Sequence, residues 1–241
     1  NFGFWAGANF SDRYQPDVTS YDYDAPLDEA GRPTPKFFAI RELLARYRPG
    51  GADPRGLPET IRTITVPPIA FDEVASVFDN LPPAVRAAQP GPMESYGQNH
   101  GFILYRTKLL GHRGGKLAAT DLRDYATVFA DGRYVGTLDR TKGEAAALDL
   151  PKAQPANETL DILVEAMGRI NYGPRLLDRK GITERVTLNA MTLMGWDVHP
   201  LPMDGDYLRL LRYSRRPAER PGNFFRGAFD LGTVGDTYLD M

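Results

Sequence analysis

Apolar residues recur at helical spacing in one early stretch of the chain. Phe37, Ile40, Leu44 and Tyr47 fall on one face, Thr34 stands where an N-cap belongs, and Pro35 suits the first helical position. Arg46 and Arg48 lie near the end, where cations complement the helix dipole, and Pro49-Gly50-Gly51 stops the pattern. The spacing predicts a helix over 34–47. Residues 49–60 form a linker by composition, and beyond them the helical period is lost. Short runs rich in β-branched and aromatic residues follow: Ile61–Val66, Phe102–Thr107, Leu117–Asp121, Tyr125–Ala130, Arg133–Leu138, Ala146–Leu150, Leu160–Val164, Val186–Leu188 and Trp196–His199. Asp131-Gly132 between two of them signals a two-residue hairpin, because a type I′ turn needs positive φ at both central positions. In the run from Leu160, the residues Leu160, Ile162 and Val164 share one face, which leaves Asp161 and Glu165 on the other. Many short strands with turns between them predict a mainly β chain, a β-sandwich or jelly roll. Residues 1–33 read as an irregular aromatic and acidic loop.

Composition narrows the function. Lys plus Arg is 29 and Asp plus Glu is 31, so no bulk positive charge favours a nucleic-acid partner. Hydrophobic residues make up 42%, enough for a sizeable core. No apolar run approaches the roughly 20 residues of a membrane-spanning helix, so membrane insertion is not expected. Cysteine is absent, which removes disulfides, thiolate nucleophiles and cysteine zinc sites. His100, His112 and His199 are scattered without metal-ligand spacing, and the common nucleotide, dinucleotide and serine-hydrolase motifs are missing. No cofactor or metal is expected. Six arginines between Leu208 and Arg226 stand against one acid, Glu219, and read as a solvated loop rather than an anion-binding patch.

One segment carries candidate chemistry. In Ser20-Tyr21-Asp22-Tyr23-Asp24-Ala25-Pro26-Leu27, phenols alternate with carboxylates. Flat apolar rings beside polar groups suit polyhydroxylated ligands. Asp22 and Asp24 would point the same way on an extended segment, without the separately tuned environments of an acid/base pair. By composition alone the plainer reading is that both carboxylates cap turns or bond backbone amides.

At this point a resemblance enters. The pieces Asn1–Asn9, Gln15–Gly31 and Lys36–Arg41 resemble the last strand end, the following loop and the last helix of the (β/α)8 barrel in glycoside hydrolase family 35 β-galactosidases. Tyr96–Thr107, Val164–Gly173 and Asp178–Ile182 resemble motifs of that family's first galactose-binding-like β-domain, and Pro221–Phe225 resembles the start of the second. The resemblance implies a jelly-roll β-sandwich preceded by the end of a TIM barrel. Its limits are 1–48 for the barrel end, 49–92 for a linker and first strand segment, 93–200 for the first β-domain, and 201–241 for the start of the second. It also implies a retaining exo-β-galactosidase whose acid/base and nucleophilic glutamates stand about 5–5.5 Å apart. Both would lie N-terminal to Asn1, so no catalytic residue is expected within this chain and none of its own hydrolysis. Tyr23 matches the tyrosine that contacts galactose, with Tyr21 beside it as a further substrate contact, and Asp22 and Asp24 supporting the loop. Glu165 and Arg169 would fix a turn or the barrel contact, and Trp196 reads as core or inter-domain packing rather than a sugar platform. The implied partner is a β-galactoside, and the family suggests export; oligomeric state is not readable. The open ends, Asn1-Phe2-Gly3 and a final strand-like Thr237–Met241, read as those of a piece of a longer chain. The rival readings are a non-catalytic carbohydrate-binding sandwich and a pure scaffold domain.

Overall fold

The computed structural model describes residues 5–10, 13–18, 24–28, 31–51, 56–57, 59, 62–111, 113–143, 146–152, 157–170, 174, 176–216 and 220–237. The chain divides into two compact units, one of residues 1–7, 16–70 and 227–241, the other of 8–15 and 71–226.

The composition of residues 1–33 suggests an irregular loop, but the stretch likened to a strand end holds a strand, and a second follows it. β1 (Trp5–Phe10) and β2 (Tyr14–Val18) form a two-stranded sheet. In β2, Pro16 and Asp17 mask the strand signal, but each strand of a two-stranded sheet has an outer edge where a proline needs no ladder partner. In the smaller unit, α1 (Pro35–Tyr47) fills the predicted helix. Thr34 occupies the N-cap position without capping. Its hydroxyl instead donates to the carbonyls of Ala25 (2.8 Å) and Pro26 (3.1 Å), which ties the preceding turn to the helix start. No side chain of α1 is buried: Ile40, Leu44 and Tyr47, on the predicted inner face, are 39%, 61% and 80% exposed. The strand expected at Ile61–Val66 is absent over its described residues, 62–66. Only a single parallel bridge forms, Thr63 with Asp236, because Pro67 and Pro68 remove two successive donors and prevent a ladder from extending.

The larger unit is built on strands. In chain order these are β3 (Glu73–Ser76), β4 (Val85–Ala87), β5 (Gly101–Leu110), β6 (Gly115–Arg123), β7 (Tyr125–Ala130), β8 (Arg133–Asp139), β9 (Ala146–Leu150), β10 (Asn157–Ala166), β11 (Gly181–Leu188), β12 (Met191–Thr192), β13 (Trp196–Leu201), the short helix α2 (Gly205–Leu210) and β14 (Asn223–Arg226). All eight runs predicted from Phe102 onward fall inside strands. Six strands pair in the order β4-β13-β5-β10-β7-β8 and four in the order β12-β11-β6-β9, all antiparallel, while β3 pairs with β14. The main core joins the two sheets: Ile103, Tyr105, Val128, Ile162, Val164 and Trp196 from the larger sheet cluster with Leu117, Ile182, Val186 and Leu150 from the smaller. Each such buried side chain contributes about 1.5–3 kcal/mol. Trp196 is a core residue, with its indole N–H donated to the Leu193 carbonyl at 3.1 Å.

The larger sheet is buried on both faces. Leu104, Phe129, Leu163 and Leu201 form a second core beneath Val77, Phe78, Tyr207 and Phe224. Period two explains the split: along β5, Ile103 and Tyr105 enter one core while Phe102 and Leu104 face the other. Asp161 lies on the second face, opposite Leu160, Ile162 and Val164 as the alternation predicts, and is 2% exposed. Its carboxylate takes a bidentate bond from Arg106, directly opposite on β5, at 2.6 and 3.0 Å. The run of arginines is largely exposed, as a solvated stretch would be, yet three of them also make specific contacts. Arg212 bonds the Asp79 carbonyl, Arg220 lies 4.0 Å over the Phe78 ring, and Arg226 pairs with Glu73 at 2.7 Å. These contacts fasten β14 and its flanks over the second core.

The expected hairpin is present, with Asp131 at φ 44° and Gly132 at φ 74° between β7 and β8. Replacing Gly132 adds a Cβ in the left-handed region and pushes it into the Arg220 guanidinium. Gly132→Ala should lower unfolding free energy by about 1–2 kcal/mol in urea denaturation, with strand content by circular dichroism unchanged.

Candidate functional site

Of the four residues singled out in the phenol-carboxylate loop, Tyr21, Asp22 and Tyr23 lie outside the described residues. Asp24 is described. It sits at φ 56° with its side chain 81% exposed, and Lys36 at the start of α1 bonds both its carboxylate (2.8 Å) and its carbonyl (2.9 Å). The downstream turn is closed by Arg32, which donates to the Asp28 carboxylate from its backbone N–H (2.8 Å) and from Nε (2.7 Å). The C-terminal flank of the loop is thus pinned to the helix by Lys36, Thr34 and Arg32.

The strongest concentration of chemistry is elsewhere, in the sandwich, and local patterning does not reveal it as a cluster. Asp124, Asp178 and Lys180 are buried together with side-chain exposures of 0%, 1% and 0%. Lys180 Nζ donates to Asp124 Oδ2 and Asp178 Oδ2, both at 2.6 Å, and to the Gly168 carbonyl at 3.2 Å, which uses all three of its hydrogens. Arg140 closes the other side, bonding Asp124 Oδ1 at 2.6 Å and Asp178 Oδ1 at 2.9 Å. Arg123 adds contacts to Asp178 (3.4 Å) and Asp121 (2.9 Å). Three carboxylates face three cations, so the cluster is electrically balanced.

Backbone groups complete it. Asp124 Oδ2 accepts from the Met167 N–H at 3.1 Å, and the Asp124 carbonyl accepts from the Arg140 N–H (3.0 Å) and the Tyr14 hydroxyl (3.2 Å). The Phe10 ring lies 4.3 Å under the Arg140 guanidinium and meets Tyr14 edge-on at 5.7 Å. Burial, then the charges of Asp139 and Asp124, push the Tyr14 phenol far above its ordinary range, so it serves only as a neutral donor. Lys180 belongs to the Asp178–Ile182 stretch noted in the sequence; Asp124 was hidden, though an acid between the apolar runs of β6 and β7 was its available signal.

A second knot fixes the loop before β5. Arg169 donates to the Glu94 carboxylate (2.6 Å), twice to the Asn99 carbonyl (2.7 and 3.2 Å) and to the Asp178 carbonyl (3.1 Å). Arg169 therefore fixes turns, as read from the sequence. Glu165 is half-buried. Its carboxyl is raised above 4.5, first by burial and second by the charge of Asp124. Of the histidines, His199 is buried with Nδ1 2.7 Å from the Pro82 carbonyl, His100 is exposed beside Asn99, and His112 lies outside the described residues. No cluster of metal-ligating side chains exists among the described residues, and no helix there is long and apolar enough to cross a membrane.

The fold and these clusters define an antiparallel β-sandwich whose buried charges are spent on its own architecture. Comparison with known proteins places it. Residues 90–202 match the family described as "Beta-galactosidase, first all-beta domain", and residues 1–47 match "Glycosyl hydrolases family 35". Over the whole chain, 46% of residues are identical to a beta-galactosidase of Xanthomonas manihotis, of which the match covers 40%. Identity is 36% to beta-galactosidase 17 of Arabidopsis thaliana, over 84% of this chain and 31% of that protein. It is 33% to a beta-galactosidase-1-like protein of Mus musculus, over 99% of this chain and 38% of that protein. The chain is thus similar over its whole length to family 35 glycosyl hydrolases named beta-galactosidases, and it spans between about a third and two fifths of the length of these relatives.

Two outcomes follow for the buried groups. Lys180→Met leaves Asp124 and Asp178 with Arg140 as their one shared cation and an excess of buried negative charge, and urea denaturation should register a loss of about 3–5 kcal/mol. Glu165 acts in the opposite sense. Because its folded pKa is raised, the native state keeps the proton to higher pH than the unfolded chain. Stability is therefore lost as pH climbs from 4.5 through the raised value, and stays lower above it. Thermal melts of Glu165→Gln should exceed wild type at neutral pH, and the gain should vanish below about pH 4.

Proposed function

We propose that this chain is part of a retaining exo-β-galactosidase that hydrolyses terminal β-galactosyl residues of oligosaccharides. The observation that carries the reading is the ordered pair of matches, a family 35 segment followed by a β-galactosidase all-beta domain, with 46% identity to a beta-galactosidase along the whole chain. In this reading residues 1–48 form the end of the catalytic barrel, 93–200 the first β-domain and 201–241 the beginning of a second. The acid/base and nucleophile are supplied by a preceding part of the enzyme, at the C-terminal ends of earlier barrel strands. The loop of residues 20–27 then provides contacts to the sugar. Tyr23 donates or accepts a hydrogen bond at galactose, Tyr21 lies alongside, and Asp22 and Asp24 hold the loop. The pinned turn after Asp24 supports this assignment, since a substrate-contacting loop gains most when its ends are fixed before binding.

The test is made in the full-length enzyme that contains this chain. A nitrophenyl β-galactoside should be hydrolysed with the β-configuration retained in the first-formed sugar. Tyr23→Phe removes one hydroxyl and keeps the ring, and kcat/KM should fall roughly 5–150-fold, the equivalent of about 1–3 kcal/mol. Inverted product, or unchanged kinetics in a folded Tyr23→Phe enzyme, contradicts the respective part of the proposal.

A further inference from the structure

The motif Tyr96-Gly97-Gln98-Asn99-His100-Gly101 has no role in the hydrolysis proposed above, yet it lines a cleft of about 670 Å³ in the sandwich unit. The cleft is bounded by this loop, by Pro82 and Pro83 before β4, by Pro200 and Pro202 at the end of β13, and by α2. Its volume lies within the usual range of small-ligand sites, about 300–1,000 Å³.

The loop is held rigid from several sides. Asn99 offers its carbonyl to Arg169, and Gln98 Nε2 donates to the carbonyls of His100 (2.6 Å), Phe102 (2.8 Å) and Leu201 (2.9 Å). Gly101 stands at φ 85°, and a Cβ there would come within 2.9 Å of Met203 and 3.0 Å of the Leu201 carbonyl, so the sharp entry into β5 requires glycine. Three carbonyls around Nε2 also fix the orientation of the Gln98 amide. Its Oε1 consequently faces none of them. It is the buried side-chain acceptor without a hydrogen-bond partner among the described residues, on a side chain 6% exposed. Such a group is costly unless a donor reaches it.

The lining limits what that donor can be. No lysine or arginine contributes to the cleft, so an anionic ligand has no counter-charge. Asp204 accepts from the Tyr207 N–H (2.8 Å) and Asp206 pairs with Arg209, so neither is a free carboxylate for a cation. What remains are the rings of Tyr96 and of Tyr207, whose hydroxyl donates to the Asn80 carbonyl (3.2 Å), the flat faces of prolines, and the exposed Asn99 and His100. The last two meet through Oδ1 and Nδ1 (2.7 Å) and keep the Asn99 amide N–H groups and His100 Nε2 for a ligand. Rings and prolines suit the C–H faces of a pyranose, while amide and imidazole groups suit its hydroxyls.

We propose that this cleft is a non-catalytic binding site for a neutral saccharide, with the Tyr96–His100 loop and α2 as its two walls. It goes beyond the hydrolytic reading and stands independently of it: the enzyme can cleave galactosides whether or not this cleft is filled.

The experiment is an NMR titration of the isotope-labelled 241-residue chain. The probes are methyl β-thiogalactoside, which resists hydrolysis, cellobiose, and a proline-rich peptide as the competing ligand class. Shift changes with at least one saccharide, centred on the Gly97, Asn99 and Tyr207 amides, are expected. Asn99→Ala and His100→Ala remove exposed side chains and should weaken binding roughly three- to tenfold each, the loss of about one neutral hydrogen bond. Met191→Ala, exposed on the other sheet, should change nothing. The proposal is overturned if neither saccharide perturbs these amides up to its solubility limit. Perturbations that persist unchanged in both variants, or binding of the peptide alone, overturn it as well.

Discussion

A lysine with no exposure at all can stay charged only if its partners replace water completely, and in this protein the whole sandwich is arranged around that requirement. Lys180 sits at the start of β11, Asp124 between β6 and β7, and Arg140 just after β8, so the ion cluster joins both sheets at one end. Desolvating such charges costs several kcal/mol per ion, and their attraction repays this only with full hydrogen bonding. Here that condition is met: every Lys180 hydrogen is used, and both Asp124 oxygens are occupied. A cluster of this kind adds little stability compared with a packed apolar core. It does penalise any alternative pairing of strands, because a shift of register in β7 or β11 strands a charge in the interior.

The same end of the sandwich also anchors the segment Ala8–Gln15, which groups with this unit although it lies far away in sequence. Phe10 stacks on Arg140, and Tyr14 donates to the Asp124 carbonyl. A guanidinium that already makes two ion pairs presents an immobile flat face, and an aromatic ring placed on it loses little further freedom. The polar cluster thus serves as the docking point for an apolar side chain, which is why neither Phe10 nor Arg140 stands out when the sequence is read locally.

The strands from β5 onward were legible because their signals are local: alternation, β-branched residues and the Asp131-Gly132 turn. Those missed, β3, β4, β12 and β14, have two to four residues, too few for alternation to register. β2 was hidden by Pro16 and Asp17, while β1 was signalled only by the resemblance of Asn1–Asn9 to a strand end. For Asp161, alternation gave the face of the strand but not what covers it: Val77 and Phe78, α2 and β14 pack over that face, and Arg106 bonds the carboxylate itself. The arginines after Leu208 look like a charged loop in one dimension and become fasteners once Phe78, Glu73 and Asp79 are brought opposite them. The family was readable from several long motifs in order. Asp124 was not, since a single acid between two strands is common and only the fold brings Lys180 to it.

These constraints bear on how a domain with few free polar groups can contribute to function. Charges locked in balanced pairs cannot take up a ligand without first losing partners, so the ion cluster and the Arg106–Asp161 pair are poor places for recognition. Recognition needs groups that are held in place yet not consumed. The backbone knot made by Arg169 provides that condition one step away from the cluster, because it uses the Asn99 carbonyl and leaves the Asn99 side chain exposed. The rigidity imposed by buried charge therefore reaches the surface as a preformed loop, at the one place where the described side chains retain an unmet acceptor.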